Sequence, residues 1–400
     1  MPLGVLVGMI NMILFRIDCF VVKIAHITPS FYPAHVYGGP ILTVHHLCRY
    51  LGEMGYDVRI LTTDANGLDR VLDVEKSREV ETAKGLRIRY CRRLMRHSVS
   101  PTLLRLLPFY IHWADVVHLT AVYSFPTIPT LFACRILGKP VVWSPRGALQ
   151  RWEGSTRLWV KSVWEWVCRR VAPHQCVIYA TSEEEARSTL ERFPGNEIVV
   201  IPNGIETPQQ VTHIPGKGIL RLLYIGRLHP IKGIENLLAA CKMLNDSYGP
   251  AWLLTVVGTG DPHYTETLRT RVTKLGLVGQ VQMVGEVIGT AKYQLFANTD
   301  ITVVPSYIES FGIVVAESLA HGVPVVAGTG TPWKRVEEIG CGLWVANEPQ
   351  SLAEAIKQMS RMPLREMGLR GRAWMQREFA WPSVAQMVAQ LYQEAIKVPL

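Results

Sequence analysis

From about residue 20 onward, thirteen short, continuous, β-branched apolar runs recur along the chain, and helical patterns fill most of the intervals between them. Continuous rather than alternating apolar runs belong to strands covered on both faces. Such strands need helical crossovers, so the pattern dictates α/β architecture with parallel sheets. The strand candidates are Phe20–Thr28, Val58–Thr63, Leu86–Tyr90, Asp115–Leu119, Pro140–Trp143, Cys176–Thr181 and Ile198–Ile201, then Leu220–Ile225, Trp252–Val257, Val281–Val284, Ile301–Val304, Pro324–Ala327 and Leu343–Val345. Helices are expected over Ile41–Leu51, Ser155–Val171, Glu183–Arg192, Ile234–Leu244, Ala316–Ala320 and Leu352–Met359.

The stretch Pro202–Gly218, PNGIETPQQVTHIPGKG, breaks the alternation and reads as a linker. Two doubly wound domains are therefore expected, over residues 20–205 and 218–380. Sheets of this kind bind ligands beyond the carboxyl ends of their strands, and two facing domains form a cleft. At 400 residues the chain can fill two cores, and 48% hydrophobic against 19% charged residues excludes a disordered chain or a coiled coil. The eight cysteines are scattered with no C-x-x-C pair, which argues against a disulfide scaffold or zinc ribbon and for a reducing cytoplasm.

The net charge of +9 is uneven, with +7 of it before residue 206. An anionic partner of the first half is implied: a membrane surface, a phosphorylated substrate or a nucleic acid. No nucleic-acid recognition motif accompanies the charge, so no nucleic-acid partner is expected. Residues Met1–Phe15 carry no charge and fit neither a spanning helix nor a signal peptide well. An over-extended start, with Met12 as the alternative initiator, is the first reading of them, an interfacial anchor the second and a signal peptide the last.

Three groups stand where chemistry is expected. The loop after the first strand ends Tyr37-Gly38-Gly39-Pro40 and runs into a helix. Glycines there admit a phosphate to the backbone and to the helix N-terminus, although a plain strand–helix turn has the same form. Gly226-Arg227 and Lys232 follow a strand end and place two cations five residues apart, a spacing suited to clamping a diphosphate. The segment Glu309-Ser310-Phe311-Gly312-Ile313 leads into a helix that carries Glu317. Ser310 is placed to cap that helix. Glu317, inside an apolar helix, needs hydrogen-bond donors, which either ribose hydroxyls or a basic neighbour would supply. There is no Walker loop, dinucleotide fingerprint, G-x-S-x-G elbow or metal-ligand spacing.

Together GRLHPIKG, ESFGIVVAESLAHGVPVVA, PNGI, HITPSFYPAHVYGGP and WSPRGAL resemble the glycosyltransferase family 4, the glycogen-synthase-like group 1 transferases of GT-B fold, over residues 20–395. GTPWKRVEEIGCGLWV resembles the subgroup found in bacterial surface-polysaccharide clusters. The resemblance implies a retaining, metal-independent, cofactor-free transfer of a hexose from a nucleotide-diphosphate sugar to a glycan or polyprenyl-linked acceptor. It implies that Arg227 and Lys232 neutralise the leaving diphosphate and that Gly39, beside Gly38, donates its amide there. Glu317 would hold the ribose and Glu309 the hexose, with the backbone at Ser310, Phe311, Gly312 and Ile313 meeting sugar and phosphate. The last helix, Trp381–Lys397, would cross back to the first domain. Where the family often has His-x-His, this chain has His118-Leu119-Thr120, and His118 is the candidate contact to the transferred sugar. Another GT-B activity, such as a nucleotide-sugar epimerase, or a non-catalytic nucleotide-sugar-binding subunit are the alternatives.

On the acceptor side, Arg146 ends a strand, and no acidic residue lies between Glu81 and Asp115 while Arg92, Arg93 and Arg96 do. Four tryptophans between positions 152 and 166 accompany further basic residues. This composition suits a peripheral face on the cytoplasmic leaflet. Its rival is an ordinary strand with outward arginines beside a core helix.

Overall fold

Every expected apolar run is a strand. The computed structural model describes residues 21–214, 218–245 and 251–397; the leading segment read as an extended start or anchor lies outside the described residues. The first sheet contains β1 (Lys23–Ile27), β2 (Asp57–Thr63), β3 (Val80–Ala83), β4 (Leu86–Cys91), β5 (Val116–Thr120), β6 (Val141–Ser144), β7 (Cys176–Ala180) and β8 (Glu197–Val200), in the order β3-β4-β2-β1-β5-β6-β7-β8. The second contains β9 (Ile219–Ile225), β10 (Ala251–Val257), β11 (Val281–Gly285), β12 (Ile301–Val304), β13 (Val325–Gly328) and β14 (Gly342–Val345), in the order β11-β10-β9-β12-β13-β14. All pairings are parallel except that of β3 with β4. β3 escapes the sequence pattern because it is a polar edge strand, VETA, with no side chain fully buried.

In each sheet the chain winds outward one way and then returns to wind the other. The reversal falls between β1 and β5 in the first sheet and between β9 and β12 in the second. Ligand crevices open at such points, beyond the carboxyl ends of the strands. The first sheet is covered on one face by the helices Gly39–Glu53 and Trp381–Lys397. Its other face carries the helices Pro101–Trp113, Thr127–Leu137 and Leu158–Val171.

The last helix does return to the first domain, as expected. Trp381, Val384, Val388, Leu391 and Tyr392 recur at helical spacing and pack on Val44, Leu47 and Leu51. Burying each such side chain contributes roughly 1.5–3 kcal/mol, enough to hold this crossing in place. The helices Pro101–Trp113 and Thr127–Leu137 were not expected. Phe109, Phe132 and Ile136 point outward on them and remain exposed, so apolar residues lie all round and the amphipathic period is hidden. No helix among the described residues is long and apolar enough to cross a membrane.

Candidate active site

The two winding reversals face each other. Beyond β9 and β12 lies a cavity of about 230 Å³, lined by Gly38, Gly39, Gly226, Arg227, Lys232 and Glu309 together with Ser310 to Val314. Beyond β1 and β5 a larger one of about 920 Å³ is lined by Thr28, Thr120, Tyr123, Arg93, Arg96 and others. Arg146 and Arg227 border both cavities.

Two helices begin at the smaller cavity. Gly38 is the N-cap of Gly39–Glu53, and Gly312 is the N-cap of Ile313–Ala320. Neither end has a side-chain cap. Ser310 therefore does not cap the second helix. Gly312 occupies the N-cap in the left-handed region, at φ 73°, which a glycine adopts without steric cost. The orphan N–H groups of both first turns, and the positive ends of both helix dipoles, are thus directed to one place. They touch across the cleft: a Cβ on Gly39 would lie 2.9 Å from Ile313 Cγ2. Gly39→Ala is accordingly expected to hold the domains apart and lower turnover at least tenfold. Gly39→Ala/Ile313→Ala should recover most of it, as steady-state kinetics of the two variants will check.

Lys232 closes a short turn whose first amide, at Ile231, is accepted by His229 Nδ1 at 3.2 Å. Its Nζ lies 2.5 Å from Glu309 Oε1, which also accepts from Ser306 Oγ at 2.8 Å. One oxygen of Glu309 is thereby fixed, and Oε2 has no hydrogen-bond partner among the described residues. The Arg227 guanidinium likewise has neither a hydrogen-bond nor an ion-pair partner among them. Its backbone is held instead, since the buried Tyr224 hydroxyl donates to Arg227 O at 2.9 Å. The cations Arg227 and Lys232, after the desolvation by burial that leads, lower the pKa of His229.

The first domain holds the loop of the second from outside. Thr181 Oγ1 donates to Ser310 O at 3.4 Å, and Gln150 Nε2 to Glu309 O at 3.4 Å. From behind, Trp333 Nε1 donates to Phe311 O. Arg146 reaches Asn203 Oδ1 at 2.5 Å and stands over the Tyr179 ring. Sequence reasoning missed Thr181, Gln150, Trp333 and Ser306, because nothing local marks a residue brought in from a distant loop. Asn203 had a signal, since it belongs to the PNGI hinge.

Two further expectations change, and of the two kinds of donor open to Glu317 the structure supplies the basic neighbour. His118 does not reach the cleft. It is fully buried, with Nδ1 2.5 Å from Tyr392 Oη, Nε2 2.9 Å from Ser144 Oγ, and its ring stacked 4.2 Å from that of His26. Burial, then His26 and Arg146, push its pKa well below the ordinary value. Thr120, two residues on, lines the larger cavity instead and bonds His26 Nε2 at 2.8 Å. Glu317 finds its donor in the protein: Lys292 Nζ lies 2.6 Å from its Oε1. Lys292 sits 25 residues upstream on the helix Thr290–Ala297, with no sequence signal. Arg93 is not a free surface charge, because it donates to Gly67 O at 2.6 Å and Arg70 O at 2.7 Å. Arg96 pairs with Asp69 at 3.0 Å, and Arg92 is exposed. Arg93 and Arg96 face the larger cavity, as does Arg146, with which they were grouped on the acceptor side.

A family model described as glycosyltransferase family 4 matches residues 37–209, and another, glycosyl transferases group 1, matches residues 209–373. The phosphatidyl-myo-inositol mannosyltransferase of Mycobacterium leprae is 30% identical over 293 residues, covering 70% of this chain and 73% of that enzyme. The chain belongs to the group 1 glycosyltransferases of family 4. The glycogen synthase of Mycobacterium tuberculosis H37Rv is 28% identical over 91% of this chain and 93% of its own. Among solved structures, the sucrose-phosphate synthase of Thermosynechococcus elongatus superposes with a TM-score of 0.73 at 21% identity, over 93% of this chain and 98% of that one. Anabaena HepE in complex with UDP and glucose does so with a TM-score of 0.71 at 18% identity, over 93% and 100%. At these identities the likeness is one of fold, and the fold of this family 4 transferase is GT-B.

Proposed function

We propose that this transferase moves a hexose from a nucleotide-diphosphate sugar to a glycan or polyprenyl-linked acceptor, with retention and without a metal ion, in bacterial surface-polysaccharide synthesis. One observation carries the donor half. Two helix N-termini without side-chain caps, Arg227 and Lys232 converge on one crevice, which is a site built for a diphosphate. The fold neighbour solved with UDP and glucose supports the same reading.

In this reading Arg227 and Lys232 receive the negative charge that develops on the leaving phosphate, with the amides of Gly39, Gly312 and Ile313. Preorganised donors of this kind act where charge appears, not where it already is. Glu309, fixed through one oxygen, turns the other to the hexose hydroxyls. Glu317, paired with Lys292, takes the ribose. The metal's usual part, neutralising the diphosphate, falls to the two cations and the helix dipoles. The larger cavity beside Arg146 and Thr120 receives the acceptor, and the domains 20–205 and 218–380 supply acceptor and donor sides respectively.

The test is incubation of the purified protein with a panel of nucleotide sugars, scoring slow donor hydrolysis and the configuration of the released or transferred sugar. Hydrolysis of one donor, undiminished by EDTA and giving the donor's own anomeric configuration, is expected. Inversion, dependence on a divalent ion, or no cleavage of any donor would each overturn the corresponding part.

A further inference from the structure

The layer formed by helices Pro101–Trp113, Thr127–Leu137 and Leu158–Val171 has an inner face that is accounted for and an outer face that is not. On Leu158–Val171 the inner side is pinned to the wall of the larger cavity. Trp164 Nε1 donates to Val122 O at 2.8 Å, and the Tyr123 hydroxyl donates to Glu165. Val122 and Tyr123 both line that cavity. The outer side presents Trp159, Val163, Trp166 and Arg170, which fall on one helical stripe. Trp159 is 74% exposed and Trp166 51%, and the Arg170 guanidinium lies 5.3 Å from the Trp166 ring centre. The neighbouring helices continue the surface with Phe132, 52% exposed, and Phe109, 69% exposed. Arg135 ties the layer together by donating to Arg170 O.

Large aromatic side chains left in water at this density mark a contact surface. The charge says with what. The three helices hold a single carboxylate, Glu165, which is buried and paired with Arg151 at 2.9 Å. Arg105, Arg135 and Arg170 are exposed among the aromatics. A surface of outward tryptophans and arginines, without an exposed carboxylate on its helices, complements the headgroup region of an anionic bilayer.

We infer that the outer face of this helical layer docks on an anionic membrane surface and brings the rim of the acceptor cavity to the lipid. The membrane face is thus narrowed from the whole basic and tryptophan-rich stretch to the side that carries Trp159 and Trp166, without Arg92, Arg93 and Arg96, on a helix bonded to the cavity wall at Val122 and Tyr123. Its link to a lipid-linked acceptor rests on the transferase reading; the surface itself does not.

The experiment is sedimentation with phosphatidylcholine vesicles, with and without phosphatidylglycerol, at low and high salt. Wild-type protein is expected to bind the anionic vesicles at low salt and to be released as salt rises. Trp159→Ser/Trp166→Ser should bind at least tenfold more weakly, and Arg105→Ser/Arg170→Ser about thirtyfold. Both variants should retain wild-type thermal unfolding and donor hydrolysis in solution. Indifference of the wild type to anionic vesicles at low salt, or wild-type binding by both variants, overturns the inference. So does lipid-free self-association that the tryptophan variant abolishes while vesicles are ignored, since a second copy would then occupy the face. Vesicle binding by a protein that cleaves no nucleotide sugar supports the face and counts against the transferase roles instead.

Discussion

Alanine at Arg227 or Lys232 is expected to lower turnover by roughly 10²–10³-fold, the usual consequence of removing one preorganised donor from a developing anion. The two losses should differ in kind. Arg227 has no side-chain partner among the described residues, so Arg227→Ala should remove only the proposed interaction with the diphosphate. Lys232 is 2.5 Å from Glu309 Oε1, and Lys232→Ala leaves that carboxylate beside the phosphates without its counterion. Lys232→Ala should therefore be the more damaging, and Lys232→Ala/Glu309→Gln should lose less than the product of its single losses. Steady-state kinetics on whichever donor the nucleotide-sugar panel selects, with unfolding curves as the fold control, will decide. Near-normal transfer by both single variants would remove the clamp from the mechanism.

The second large effect concerns acid. His26 and His118 are stacked and fully buried in the first domain. Burial, assisted by Arg146, lowers His26 from 6.5 to about 3, and His118 is pushed down by burial, by His26 and by Arg146. The unfolded chain takes up both protons near pH 6.5, whereas the folded chain refuses them. Between pH 6.5 and about 3 the unfolded state thus binds more protons, so stability is fully present above pH 6.5 and falls as pH drops. His26 contributes about 1.4 kcal/mol per pH unit, or about 2.5 kcal/mol between pH 6.5 and 4.5, and His118 adds to the loss in the same direction. Urea unfolding at pH 7.0 and 5.0 measures it. His118→Gln, which keeps a neutral donor and acceptor, should flatten the dependence. An unchanged slope would show that the carboxylates, not this pair, govern acid stability.

The parallel sheets and the donor crevice were legible because both are local. Buried parallel strands write themselves as unbroken apolar runs, and Gly226-Arg227, Lys232 and Glu309 each follow a strand directly, so strand order alone sends them to one end of the sheet. Contacts between segments far apart in sequence were not legible. The partner of Glu317, the grip of Thr181 on the 309–312 loop, and the burial of His118 under Tyr392 of the last helix depend on how separate elements pack. No periodicity records that. Arg93 shows the same limit, for its sequence reads as exposed charge and only the fold of the loop around Gly67 and Arg70 gives it carbonyls to hold. The tryptophans of Leu158–Val171 divide in the same way. Composition determined only that they cluster beside basic residues. Which of them, Trp164, turns inward to the cavity wall and which, Trp159 and Trp166, turn out to solvent was decided by the sheet face on which the helix lies.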